Sequence, residues 1–110
     1  MLLKPIDIRD IQQTEDSLLI IDVRSVEEYE VGHVEGAVHI PIDELSEHLQ
    51  SLDVDQTIVT YCMMNHPGTS RGERAAALLR EQGFNAYTLD GGLPAWKVAR
   101  MPMALVESDK

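Results

Sequence analysis

A single cysteine, Cys62, is all the thiol chemistry this 110-residue chain offers. It excludes an internal disulfide framework, and with it any zinc site built from four cysteines or from two cysteines and two histidines. The four histidines (His33, His39, His48 and His66) show no HExxH spacing, and Cys62 with His66 supplies two ligands at most, so no metal is expected. Aromatics are scarce at 5%, which leaves the core to Leu, Ile, Val and Ala. Positive charge is scarce as well: 9 Lys and Arg stand against 19 Asp and Glu, a formal net charge of −10. A field of that sign repels nucleic acid and anionic membrane, both of which are held through Lys/Arg patches, and neither is expected as a partner. No apolar run approaches the roughly 18–20 residues that cross a bilayer. The opening Met1-Leu2-Leu3-Lys4-Pro5 is too short a run for a secretory signal, so the expected location is the cytoplasm.

What is present suffices for one core. The length is that of one domain, read as residues 1–110 with a core from about 5 to 103 and a short polar tail. Apolar residues make up 44% of the chain, and the acidic residues are spread along it as a solvated surface. There is no internal repeat, low-complexity tract or linker, and strand and helix signals alternate. Leu18 to Val23 is a short apolar run suited to a strand buried on both faces. Ser25-Val26-Glu27-Glu28 has the form of a capping box opening a short helix that Gly32 ends. Ala37 to Ile40 is a second strand, stopped by Pro41. Asp43 is placed to cap a helix through about Leu52, with Leu45, Leu49 and Leu52 on one face. Thr57 to Cys62 is the clearest strand. Ser70-Arg71-Gly72-Glu73 opens the best helix, through Leu79 to Gly83. Phe84 to Leu89 reads as the last strand, and Leu93 to Ala99 as a terminal helix holding Trp96. Strands separated in this way predict a parallel sheet covered on both faces.

In an open parallel sheet, ligands collect beyond the carboxyl ends of the strands, and Cys62 stands at such an end. Eight residues (Met63, Met64, Asn65, His66, Pro67, Gly68, Thr69 and Ser70) lead from it to Arg71. A loop bending back over a helix start aims backbone N–H groups inward and forms an anion-binding concavity, to which the helix dipole adds. Arg71, Arg74 and His66 are the candidate cations. Together they favour thiolate over thiol and suit a small anionic substrate. The alternative is an inert core cysteine closing an apolar strand. Asp22 and Arg24 read as a structural ion pair or as cleft-shaping residues. His33 reads as a local hydrogen-bonding residue, His48 as solvated and Trp96 as core. Met63 and Met64 are either packing atoms or an apolar wall beside the sulfur.

The ordered motifs Ile21-Asp22-Val23-Arg24, Glu28-Tyr29, Gly32-His33, Gly36-Ala37 and Ile40-Pro41 resemble the amino-terminal signature of rhodanese domains. Tyr61-Cys62 with Arg71 and Ala75-Ala76 is similar to that family's active loop and following helix. Leu89-Asp90-Gly91-Gly92 with Trp96 and Pro102 resembles its carboxyl-terminal signature, and the likeness runs from about Asp7 to Met103. It implies an α/β fold: a single rhodanese-like domain with a five-stranded, mostly parallel sheet flanked by helices on both faces. It also implies a sulfurtransferase in which Cys62 takes the outer sulfur of a donor as a persulfide and passes it to a thiol or other nucleophile. The donor would be thiosulfate, polysulfide or a glutathione persulfide. Arg71 would hold the anionic donor, with Met63, Met64, Asn65, His66, Gly68, Thr69 and Ser70 lining the site. No metal or organic cofactor is implied. The partners would be a small anionic sulfur donor and an external thiol or sulfur-acceptor protein.

Two departures stand out. The family loop usually places four residues between cysteine and arginine, and a related phosphatase branch five, against eight here. The longer loop either admits a bulkier donor or folds inward and narrows the pocket. Arg100 stands where the family often has glycine, a substitution that costs about 1 kcal/mol if that position needs φ > 0. Competing functions on the same scaffold are a non-catalytic binding or regulatory module and a cysteine-dependent phosphatase or arsenate reductase. For the phosphatase or reductase, His66 would be the candidate general acid.

Overall fold

Parallel strands cannot be joined by tight turns, so each return across the sheet needs a covering element. The computed structural model describes residues 2–14, 17–63 and 70–105. In chain order these form β1 (Leu2–Leu3), α1 (Pro5–Thr14), β2 (Leu18–Asp22), α2 (Val26–Glu30), β3 (His33–Val34), β4 (Val38–His39), a 3-10 segment (Ile42–Ser51), β5 (Thr57–Tyr61), α3 (Arg71–Glu81), β6 (Asn85–Leu89), α4 (Gly92–Val98) and β7 (Met103–Ala104). Five strands make one sheet in the order β1-β6-β5-β2-β4, with every pair parallel. The short β3 and β7 pair antiparallel beside it. β5 is therefore the central strand, and the residue that follows it is Cys62.

The two-residue period of the strands divides the core in two. Ile21, Val23, Ile58, Cys62 and Ala86 face a cluster completed by Ala75, Ala76 and Leu79 of α3 and by Leu45. Ile20, Val59, Tyr61 and Leu89 face the opposite way, toward Ile8 of α1 and Leu93 and Trp96 of α4. Helices thus cover both faces, as the alternating elements predict. Among the described residues, no helix is long and apolar enough to cross a membrane.

The segment after Pro41 departs from expectation. It is a ten-residue 3-10 helix whose N-cap is Pro41, and no side chain caps it. Asp43 is not its cap because the helix opens one residue earlier, at Ile42, which places Asp43 inside the first turn. A 3-10 helix rises about 2.0 Å per residue against 1.5 Å for an α-helix. The same ten residues therefore span about 20 Å rather than 15 Å on the way from β4 back to the start of β5. Leu45 is fully buried and Leu49 and Leu52 pack against the cluster, so the apolar face is kept.

Arg100 adopts φ +59°, the one positive φ at a non-glycine among the described residues. It closes α4 in a Schellman arrangement: Arg100 N donates to Lys97 O at 2.9 Å, and Met101 N donates to Trp96 O at 3.2 Å. Arg100→Gly is accordingly expected to stabilise the fold by about 1 kcal/mol, seen as a higher urea midpoint at unchanged slope. An unchanged or lower midpoint would show that this turn carries no strain.

Candidate active site

The strand end that carries Cys62 is held from two sides. Thr60 Oγ1 donates to Gly72 O at 2.6 Å and Thr88 Oγ1 donates to Thr60 O at 3.0 Å, which ties the first turn of α3 to β5 and β6. The approach is so close that a Cβ built on Gly72 would lie 2.8 Å from Thr88 Oγ1 and 3.4 Å from Cys62 N. From the other side, Leu93 N in the first turn of α4 donates to Cys62 O at 3.0 Å. Ser70 caps α3, its hydroxyl accepting from Glu73 N at 3.1 Å. The amino-terminal ends of two helices thus meet at this one residue.

Cys62 is 3% exposed and belongs to the aliphatic cluster on the α3 face. Burial by itself describes an inert core cysteine. What sets this one apart is its place after the central strand, with Arg71 opening the next helix. Arg71 opens α3, and its guanidinium forms a two-pronged bridge to Glu28, Nη1 to Oε1 at 2.9 Å and Nη2 to Oε2 at 3.2 Å. The Arg71 pKa is raised first by that hydrogen bonding and further by the negative charge of Glu28, against the opposing effect of burial. Glu28 is held as a carboxylate, its pKa lowered to about 2 chiefly by Arg71. The same carboxylate closes the α2 capping box by accepting from Ser25 N at 3.1 Å.

On the opposite face of the sheet lies a buried polar network. β2 and β5 are in register with Asp22 beside Tyr61, so both side chains leave the sheet together. Tyr61 Oη donates to Asp22 Oδ2 at 2.7 Å and accepts from Val34 N at 2.9 Å. Arg24 meets Asp22 through Nη2 at 2.7 Å and Nε at 2.9 Å, and Nη2 also donates to Gly32 O at 2.7 Å. Both members of the pair are essentially unexposed. Burial is the largest single effect on Arg24 and works against its charge, but the hydrogen bonding and charge of Asp22, with Tyr61 and Glu28, together outweigh it and the Arg24 pKa is raised. Burial also pushes the Tyr61 phenol far above its usual range. Asp22 and Arg24 therefore form a structural support beneath the carboxyl edge of the sheet. His33 is buried, with Nδ1 2.8 Å from Tyr29 O and its ring stacked on Tyr29 at 3.8 Å. His39 stacks on the other side of that ring at 4.7 Å.

Cys62, Met63, Ser70 and Arg71 are thus gathered at one sheet edge, with Met63 exposed. Met64, Asn65, His66, Gly68 and Thr69 lie outside the described residues. Arg74 is exposed. Reading the sequence alone misses Glu28 as a member of this edge. The signal is present, because a capping-box glutamate keeps an oxygen to spare and parallel order puts the helix after β2 on the same edge as the end of β5. Among the described residues, no group of three or more His, Cys, Asp and Glu side chains is placed to hold a metal.

A five-stranded parallel sheet with a cysteine closing its central strand, and an arginine opening the next helix, defines a class. The chain matches the rhodanese-like domain over residues 4–99 and belongs to that family. It is 37% identical over 84 residues to the HTH-type transcriptional regulator Rv0324 of Mycobacterium tuberculosis, covering 76% of this chain and 36% of that protein. This chain therefore spans only about a third of that relative's length. Two solved structures share the fold. One is a rhodanese-related protein from Thermoplasma volcanium, with a TM-score of 0.80, 24% identity, and coverage of 94% of this chain and 96% of that one. The other is thiosulfate sulfurtransferase from Pseudomonas aeruginosa, with a TM-score of 0.84, 18% identity, and coverage of 97% of this chain and 20% of that one.

Proposed function

We propose that this domain is a sulfurtransferase that carries sulfur as a persulfide on Cys62. The observation that carries the reading is the place of Cys62: it follows the central strand β5, its carbonyl accepts from the first turn of α4, and Arg71 opens the next helix. Positive charge and helix dipole stand where an attacking sulfur develops and sheds negative charge. In the first half-reaction the Cys62 thiolate forms a bond to the outer sulfur of the donor. The bond from that sulfur to the rest of the donor breaks, and its electron pair leaves with the departing anion. In the second, an external nucleophile takes the outer sulfur and returns the thiolate. With no second cysteine in these 110 residues, the acceptor thiol comes from outside this domain.

A regulatory reading is favoured by two specific facts, the 3% exposure of Cys62 and the regulator's name borne by a relative. One experiment separates the two. Intact-mass analysis after incubation with thiosulfate, methanethiosulfonate or glutathione persulfide is expected to show the mass of one added sulfur on the wild type and none on Cys62→Ser. No adduct with any of the three donors overturns the transferase reading in favour of the regulatory one.

A further inference from the structure

We infer that Glu28 is a specificity-determining residue that turns the Cys62 site against dianionic inorganic donors and toward donors carrying one negative charge or none at the leaving group. The inference rests on the transferase reading and deepens it.

Arg71 is the cation that would attract an anionic donor, but its guanidinium is already engaged at both prongs by a carboxylate. The pair is about one-third exposed, so it borders the solvent through which a donor must arrive. Arg24, the second guanidinium within electrostatic reach of this pair, is matched by Asp22. Among the described residues, both guanidiniums of this electrostatic group are therefore matched by carboxylates, so a donor approaching Arg71 meets no net positive charge from the two pairs. Thiosulfate brings two charges into that neutral field and leaves as a dianion, sulfite. An alkyl thiosulfonate offers the same outer sulfur and the same sulfonyl geometry with one charge fewer, and leaves as a monoanionic sulfinate. An organic persulfide carries no formal charge on the departing fragment until its bond breaks. The charge difference is felt at close range and through partly desolvated surroundings, where it is not fully screened.

The geometry also supplies a clean variant. Glutamine serves as well as glutamate at this capping-box position. Through its amide oxygen, Glu28→Gln can still accept from Ser25 N and from Arg71, while the negative charge is gone.

The test measures second-order rate constants for sulfur loading of Cys62 by intact mass, with thiosulfate and methanethiosulfonate, at low salt. The thiosulfate-to-thiosulfonate ratio is expected to rise roughly tenfold in Glu28→Gln, which cancels the intrinsic reactivities of the two donors. The rise should shrink as salt is added. Glu28→Asp, which keeps the charge, should retain the wild-type ratio. A ratio unmoved by Glu28→Gln, or equal falls with both donors, would overturn the inference and leave Glu28 as a strut for Arg71, with the transferase intact. Absence of loading by thiosulfate, methanethiosulfonate and glutathione persulfide alike would instead remove the underlying reading.

Discussion

Asp22→Ala is expected to lower stability by about 4 kcal/mol, because removing one member of a buried ion pair strands the other. Arg24 would keep Gly32 O as an acceptor but lose the carboxylate that offsets its burial. Tyr61 Oη would lose its acceptor at 2.7 Å, and an unsatisfied buried polar group adds about 1–3 kcal/mol of cost where it cannot find water. Against a typical domain stability of about 5–15 kcal/mol, such a loss leaves little in reserve. The measurement is the urea midpoint, with the slope checked for two-state behaviour. Asp22→Asn, which keeps an oxygen for Tyr61 or Arg24, should fall between wild type and Asp22→Ala. A midpoint for Asp22→Ala close to the wild type would show that the network does not hold the end of the sheet.

Gly92→Ala is expected to cost about 3 kcal/mol and to slow sulfur loading of Cys62 by about a hundredfold. Gly92 has φ +63°, and a Cβ there would lie 2.8 Å from Met63 O and 3.0 Å from Cys62 O. The left-handed backbone costs an L-residue about 1–2 kcal/mol, and forced overpacking adds about 1–3 kcal/mol. These are backbone atoms of the cysteine and its neighbour, so relief requires moving the peptide that aims the sulfur or breaking the Leu93-to-Cys62 hydrogen bond. A displacement near 1 Å in a reacting group costs on the order of a hundredfold in rate. Gly36→Ala is the control: φ is +85° but nothing lies within 4 Å of its Cβ, so stability should fall while loading is preserved. Equal loading rates for Gly92→Ala and Gly36→Ala would show that the α4 turn does not position Cys62.

Much of this architecture is legible in the chain, for local reasons. Ser25 and Glu28 announce α2 because the capping box is a contact within four residues, and both of its halves are present. Thr57 to Tyr61 reads as the central strand because its β-branched and apolar residues serve two buried faces at once. The tightening of Ile42–Ser51 into a 3-10 helix is not legible. An apolar face at three- and four-residue spacing suits either helix, and the distance to be covered decides between them. The two-residue strands β1, β3 and β7 are missed because two residues carry no period. At the site, Cys62, Ser70 and Arg71 are readable from their order along the chain. The Glu28 bridge to Arg71 is not, since it joins residues 43 apart and exists only once β2 and β5 lie side by side. The same holds for Tyr61, whose phenol meets its acceptor only when the register sets it beside Asp22.

The pairing of Leu2 with Thr88 and Leu3 with Leu89 ties the opening of the chain to its last long strand. This edge cannot close during synthesis until β6 has left the ribosome, and until then the flank of the sheet has no template. Contacts of such sequence separation form late and slow assembly. A nascent chain of this kind therefore passes a long interval with β2 and β5 able to meet while the border strand waits. Premature termination before residue 88 would leave an adhesive rim rather than a smaller, self-contained domain.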